Sequence, residues 1–313
     1  MSQVKIPEAA HPERTIVISR HIHAAKECVY AAWTETALIE KWWAPRGYST
    51  KVPQNDLRVG GMWRYEMTGA DGAAVPCVGT YQEVVPGERV TTTVGFEPTF
   101  KKQAGIDLAD VVATTYFTDN PLGGMDLTLH LVHPTTLDKA KYEQMGVAIG
   151  WQSSFDKLQE QLDREAILQA MARWRAAVEN RDMEALVAAY APEVMLFDLK
   201  PPYKLVGPAA VRADWEACLP YFPKKFWIRH EDAVLTVGGD AAFVYGLVKI
   251  DPIGEESRAG DQYLRFTVCF QRIGGKWRVT HEHVSTPVNP VTNAAVWIKD
   301  KNDLSVPDYG GCK

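Results

Sequence analysis

"GWQSSFDKLQEQLDREAILQAMARWRAAVENRD" (residues 150–182) carries two apolar stripes of helical period that meet without a linker. Phe155, Leu158 and Leu162 end a pattern that reaches back through Ile149, Met145 and Tyr142. Residues three and four apart share one face of a helix, so this is an amphipathic segment. Ile167, Met171, Trp174 and Val178 make the second stripe. Asp163 lies between them with the chemistry of an N-cap, because its carboxylate can accept the free N–H groups of a first helical turn. No Pro, Gly or Ser tract intervenes, and the reading is a helix-to-helix junction near residue 163 that joins two domains.

The two halves are ordered differently. Upstream, "RTIVISRHIHAA" (14–25) is a strand with its apolar phase at Ile16, Ile18 and Ile22, and a helical stretch follows. A meander of strand-like runs separated by Gly, Pro and Asp turns then leads to the closing helix. Downstream, the helices come first: "MEALVAAYA", and a segment opened by "GPAAVRADWEACL", precede four strand-like runs that end at Ser285. Both halves predict an α+β fold, a curved antiparallel sheet wrapped against helices. The expected parts are an arm (1–13), a first domain (14–162), a second (163–290) and a tail (291–313) whose last stretch, "NDLSVPDYGGCK" (302–313), reads as loose.

With 46% hydrophobic and 23% charged residues, the 313-residue chain can build a core in each half. A net charge of −5 and no basic run exclude nucleic acid and anionic membranes as expected partners. Five cysteines, widely spaced and without CxxC, suggest neither a disulfide framework nor a zinc site. The polar start and the lack of an 18-residue apolar run point to the cytoplasm.

Aromatics concentrate in the first half, among them Trp33, Trp63 and Tyr81. They either line a cavity suited to a flat apolar ligand or fill the core. No nucleophile stands beside a base there. His21 and His23 lie out of phase with the apolar strand positions and are expected to face solvent. The blocks "ISRHIHAAKECVYAAWTETALIEKWWAPRGY", "DLRVGGMWRYEM", "GTYQEVVPGERVTTT" and "GWQSSFDKLQEQL" resemble the helix-grip START/SRPBCC superfamily, in the branch named for the activator of the heat-shock-protein ATPase. The resemblance implies a fold and a hydrophobic-ligand cavity rather than a reaction. Residues 99–125 depart from the pattern and would be a lid over that cavity.

In the second half, "ARWRAAVENRDMEALVAAYAPEVMLFDLKPPYKLVG" resembles the ketosteroid-isomerase-like, SnoaL-like branch of the nuclear-transport-factor-two cone fold. In the isomerases the acid at this strand end is the general base, which the resemblance carries to Asp198. Desolvation at an apolar cavity would raise its pKa toward the working pH. Where the isomerases place a donor tyrosine this chain has Trp174, and their second donor falls near Leu264. An indole N–H cannot act as a phenol acid, which argues against authentic steroid isomerisation.

"GGKWRVTHEHVSTP" (274–287) poses the remaining question. Alternation puts His281 and His283 on one face and Glu282 on the other. A two-residue turn at Gly274-Gly275 would set Phe266 and Val268 opposite the histidines and place them on the apolar concave face; a one-residue slip would reverse this. The His-x-His pair has no third ligand at a telling spacing, so no metal and no cofactor is expected. The run from Lys276 and Trp277 to Pro287 also resembles the last strand of the association domain of calcium/calmodulin-dependent kinases. There the sheet mediates assembly, which implies a homodimer through a convex face bearing Arg265, Thr267, Gln271 and Arg278.

The sequence thus predicts two cavities for small apolar molecules. One reading is acid–base conversion of the isomerase, cyclase or dehydratase kind, with Asp198 and His283 catalytic. Trp174, His281 and Trp215 would line the second cavity, with core packing the plainer role for Trp215 and for Tyr190, both placed on helices. The other is a binding and dimerising protein without chemistry.

Overall fold

The computed structural model describes residues 8–254, 260 and 262–305. Residues 1–7 of the arm and 306–313 of the tail, with Cys312, lie outside the described residues. The chain divides into two compact units between Asp163 and Arg164.

The first unit is built on strands β1 (Thr15–Ile22), β2 (Ser49–Asn55), β3 (Met62–Thr68), β4 (Ala74–Val85), β5 (Arg89–Phe96), β6 (Val111–Asp119) and β7 (Met125–Val132). They form one antiparallel sheet in the order β1-β7-β6-β5-β4-β3-β2. Helices α1 (Lys26–Thr34) and α2 (Thr36–Trp42) connect its two edge strands, β1 and β2. Period-two burial of Ile16, Ile18 and Ile22 on β1 turns one sheet face into the core, which Leu127, Leu129 and Leu131 of β7 join, while Thr128 and His130 between them are buried as well. Phe155, Leu158 and Leu162 join the same cluster from the long helix. Gly79 is paired with Trp63, and a Cβ there would lie 2.5 Å from the indole and 1.8 Å from the Thr93 carbonyl oxygen. Only glycine lets that ring lie across β4. Residues 99–125 supply most of α3 (Pro98–Ala104) and all of β6, and between them Leu108 packs into the core while the Tyr142 hydroxyl donates to the Ala109 carbonyl at 2.9 Å.

Two helical expectations are corrected. Helix α4 (Thr136–Gln144) ends at Gly146, whose φ of +74° belongs to the left-handed region, so Met145 and Ile149 are exposed rather than part of the apolar face. Beyond it, α5 (Val147–Glu179) is a single 33-residue helix. No Gly or Pro occurs between Trp151 and Glu179 to break the i to i−4 ladder. Asp163 is therefore no N-cap but a buried mid-helix residue that accepts from Gln159 Nε2 at 3.0 Å.

The second unit adds α6 (Met183–Val187), β8 (Tyr190–Phe197), β9 (Leu205–Val206), α7 (Pro208–Cys218), β10 (Phe226–Gly238), β11 (Ala241–Pro252), β12 (Tyr263–Ile273) and β13 (Lys276–Ser285). The sheet order is β10-β11-β12-β13-β8-β9, antiparallel except where β13 meets β8. Asp182 caps α6 by accepting from the Ala185 N–H at 3.0 Å. Ile167, Met171 and Val178 of α5 bury against Phe266, Phe270 and Val244 of the sheet. The start of the tail is held: the Tyr263 N–H donates to the Ile298 carbonyl at 2.7 Å and Lys301 pairs with Glu231 at 2.9 Å. Among the described residues no helix is long and apolar enough to cross a membrane.

Candidate functional site

Strand β13 decides which side chains enter the second unit. Its hairpin with β12 closes through Gly274-Gly275, with φ of +56° and +77°, and Ile273 pairs with Lys276. That is the expected two-residue turn, whose geometry glycine accepts at no steric cost. The register then slips: Phe270 pairs with Val279, but Cys269 pairs with His281, leaving Thr280 as the extra residue of a bulge. One inserted residue inverts every later position. The histidines therefore do not face the apolar interior. His283 is exposed opposite Thr267, and His281 stands opposite Cys269 with its Nδ1 2.8 Å from the Met195 carbonyl oxygen. Glu282 takes the inward position, opposite Val268 and Leu196, and is 7% exposed.

A chain of hydrogen bonds orients Glu282. The Tyr190 hydroxyl, 4% exposed, donates to Glu282 Oε2 at 2.8 Å, and Trp174 Nε1 donates to the Tyr190 oxygen at 2.8 Å. Tyr190 is the first residue of β8, not a helical residue, because α6 stops at Val187 and Tyr190 pairs with Val279. Burial holds the Glu282 carboxyl up at about 7; the Tyr190 hydrogen bond pulls the other way and the charge of Asp198 adds to the rise. Burial, with the adjacent charge of Glu282, also keeps the Tyr190 phenol well above its ordinary value.

His230 on β10 completes the constellation. Its ring lies 4.6 Å from Phe266 and 6.3 Å from Trp174, and Trp215 of α7 meets Trp174 edge-on at 5.9 Å. Burial and the charge of Arg175 push the imidazole down to about 4, so it is neutral at physiological pH. Among the described residues, nothing is hydrogen-bonded to Glu282 Oε1 or to the ring nitrogens of His230. Trp174, Trp215 and His230 keep partial exposure while Glu282 and Tyr190 are buried. The arrangement offers an acid that ionises near neutrality and a neutral imidazole, both in aromatic surroundings.

Asp198 follows β8 but is already engaged. Its Oδ1 accepts from the Leu199 N–H at 2.7 Å and its Oδ2 from Lys200 Nζ at 2.9 Å. Lys200 also pairs with Asp214 of α7. Burial would lower this ammonium, but the hydrogen bonds to Asp214 and Asp198 outweigh it and hold its pKa above the usual lysine range. Asp198 thus acts on Glu282 through its charge, and the structure brings Glu282, Tyr190 and His230 together although the sequence reading named none of them as a site residue. The signal for Glu282 was present, since the apolar phase runs through odd positions at Trp277 and Val279 and returns on an even one at Val284. Among the described residues no group of three or more His, Cys, Asp or Glu side chains is placed to hold a metal ion.

In the first unit the aromatics pack on one another. Trp33 and Trp151 lie parallel with centroids 6.0 Å apart, and Trp43 meets Tyr65 edge-on at 5.0 Å. Beneath them Tyr81 donates to Asn55 Oδ1 at 2.7 Å and Tyr65 to the same oxygen at 3.3 Å, while Asn55 Nδ2 donates to the Thr34 carbonyl at 2.9 Å. Trp63 Nε1 donates to Thr92 Oγ1 at 2.5 Å. Burial raises both phenols. His23 is exposed, whereas His21 is half-buried with its Nδ1 2.9 Å from Asp126 Oδ1.

The family profile described as Activator of Hsp90 ATPase homolog 1-like protein matches residues 23–163, and that described as SnoaL-like domain matches residues 167–289. A solved structure from Chromobacterium violaceum is 29% identical, covering 48% of this chain and 96% of its own, with a TM-score of 0.39. An NTF2-like protein of unknown function from Pseudomonas putida KT2440 is 30% identical, covering 42% of this chain and 91% of its own, with a TM-score of 0.39. A protein from Mycobacterium smegmatis is 24% identical, covering 48% of this chain and 91% of its own, with a TM-score of 0.44. The search of curated proteins returned no match. Residues 23–163 belong to the Activator of Hsp90 ATPase homolog 1-like family and residues 167–289 to the SnoaL-like family, one domain of each in a single chain.

Proposed function

We propose that the SnoaL-like domain binds a small, largely apolar molecule in its interior and that Glu282 exchanges a proton with it, in chemistry of the isomerase or dehydratase kind. The observation that carries this reading is a carboxyl held near neutrality inside an aromatic wall, with one oxygen fixed by Tyr190 and the other without a hydrogen bond. A base works best when its pKa lies near the working pH and its orientation is locked. In an isomerisation, Oε1 takes the proton from a carbon beside a carbonyl and returns it to another carbon, so nothing is consumed. Tyr190 gives its one hydroxyl proton to Glu282 and so orients the carboxyl rather than the substrate, and Asp198 biases Glu282 electrostatically. The first domain is proposed as a separate binding module for an apolar molecule, and the outer sheet face of the second as the surface through which two copies pair.

The ion pair of Asp198 with Lys200 favours a second reading, in which the interior binds its molecule without turning it over. Native mass spectrometry of the full chain, followed by solution of any co-purified compound, separates the two. Turnover of that compound, lost in Glu282→Gln with binding kept, supports catalysis. Binding with no turnover in either protein leaves the binding role, and a chain that retains no compound and binds no apolar probe overturns both.

A further inference from the structure

We infer that the molecule taken by the SnoaL-like interior carries a positively charged amine or quaternary ammonium group, seated between the Glu282 carboxyl and the indole faces of Trp174 and Trp215. The inference rests on the reading that this interior takes a small molecule at Glu282. Three observations point to a cation.

First, the polar groups without a partner are acceptors or can be. Glu282 Oε1 receives no hydrogen bond from the described residues, and the neutral His230 ring presents an acceptor nitrogen. Second, the surrounding surface is aromatic: Trp174, Trp215, Phe222 and Phe266 follow one another at ring distances below 7 Å, through His230 at the Phe266 end. The negative faces of indole rings attract ammonium groups, and desolvation strengthens the attraction. Third, the charges near Glu282 are arranged against an anion. Asp198 adds negative potential there, while Lys200 is committed to Asp198 and Asp214. The charge of Arg175 bears on His230 instead. An anionic ligand would meet two carboxylates, and an uncharged apolar one would leave the Glu282 carboxylate without a countercharge in a desolvated site.

The groups that act on Glu282 are Tyr190 and Asp198, from β8 and its following turn; Lys200, with Asp214 and Cys218 of α7, surrounds Asp198, and Arg175 of α5 acts on His230 of β10. Below pH 7 Glu282 holds a proton that an ammonium must displace, so cation affinity falls on acidification and levels off above it.

The test uses the full chain and two probes of nearly the same shape, benzyltrimethylammonium and its uncharged carbon analogue neopentylbenzene, with binding read by calorimetry and tryptophan fluorescence. The cation is expected to bind more tightly than the analogue, and to lose about tenfold in affinity per pH unit below 7. Glu282→Gln is expected to weaken the cation by about tenfold or more and abolish the pH dependence, with the analogue unchanged. Tyr190→Phe removes the hydrogen bond that favours the carboxylate, so the midpoint of the pH profile should move upward, a shift that a purely structural role would not cause. If the analogue binds as tightly as the cation, or Glu282→Gln leaves cation binding unaltered, the cationic class is overturned while the binding interior stands. If neither probe binds the folded protein, both readings fall.

Discussion

The two interiors of this chain end their tyrosine hydrogen-bond networks on different groups. In the first domain Tyr81 donates to Asn55, Tyr65 donates to Asn55 or to the Tyr81 oxygen, and Asn55 donates to the Thr34 carbonyl, so the node closes on itself. In the second, the chain from Trp174 through Tyr190 ends on a carboxyl with a vacant acceptor, and His230 stands nearby without a hydrogen bond to the described residues. A closed network rigidifies a core, whereas an open one keeps a cost of desolvation that folding alone does not repay. The difference lies in the group at the end of each network, an amide in the first domain and a raised carboxyl in the second, since the first interior also holds buried ring nitrogens without a hydrogen bond, on His130 and His133.

The contrast can be broken most directly at Glu282. Its carboxyl is raised in the folded state, so the folded protein binds more protons than the unfolded chain between about pH 4.5 and 7, and stability falls as pH rises through that window. Glu282→Gln should therefore be more stable than the parent at pH 8 by up to about 3 kcal/mol in urea unfolding, and indistinguishable from it at pH 4. A variant that destabilises at pH 8 would mean the carboxylate is better solvated than its burial implies.

His230 titrates in the opposite sense. Its folded pKa is depressed, so stability is lost as pH falls from about 6.5 toward 4, which offsets the gain from Glu282 over the same range. His230→Phe should remove that loss and gain about 2 kcal/mol at pH 5 relative to pH 7.5, with pH-dependent unfolding as the measurement. A parallel pH profile in parent and variant would show that the imidazole is not buried as a neutral group.

The closed node predicts smaller effects without pH dependence. Tyr81→Phe should cost about 1 kcal/mol and Tyr65→Phe somewhat less, with the same loss at pH 5 and pH 8, because burial holds both phenols above that range. Loss that varies with pH would reopen the first interior as a titrating site. The smallest change is expected at His283. His283→Ala should stay within about 0.5 kcal/mol and leave probe binding in the second domain unaltered, since the ring is exposed on the outer sheet face. An effect on binding would place this histidine back in the interior.

The expectation of two α+β domains rested on period and order, and both survive in three dimensions. The apolar stripes of Phe155 to Leu162 and of Ile167 to Val178 do bury, each in its own core. Whether they formed two helices or one was not legible, because an Asp can cap a helix or ride within it. The missing Gly and Pro carried the answer, and α5 runs on. Met145 and Ile149 were misread for the converse reason: Gly146, unremarkable in the periodicity, stops α4.

What the amino-acid order determined by itself is the inventory and its local grammar: the strand phases, the Gly274-Gly275 turn, the aromatic enrichment and the two family resemblances. Tertiary structure decided which face of β13 looks inward. A hairpin's register follows from its turn only while the ladder is regular, and a single extra residue at Thr280, accommodated by pairing with β12 and β8 at once, exchanged Glu282 for the histidines. It also brought Tyr190 and Trp174, sixteen residues apart, into one hydrogen-bonded line behind that carboxyl. Side-chain period is two, so the chemistry of the interior turned on one extra residue, which the sequence marks only as a change of apolar phase between Val279 and Val284 and which strand pairing placed at Thr280.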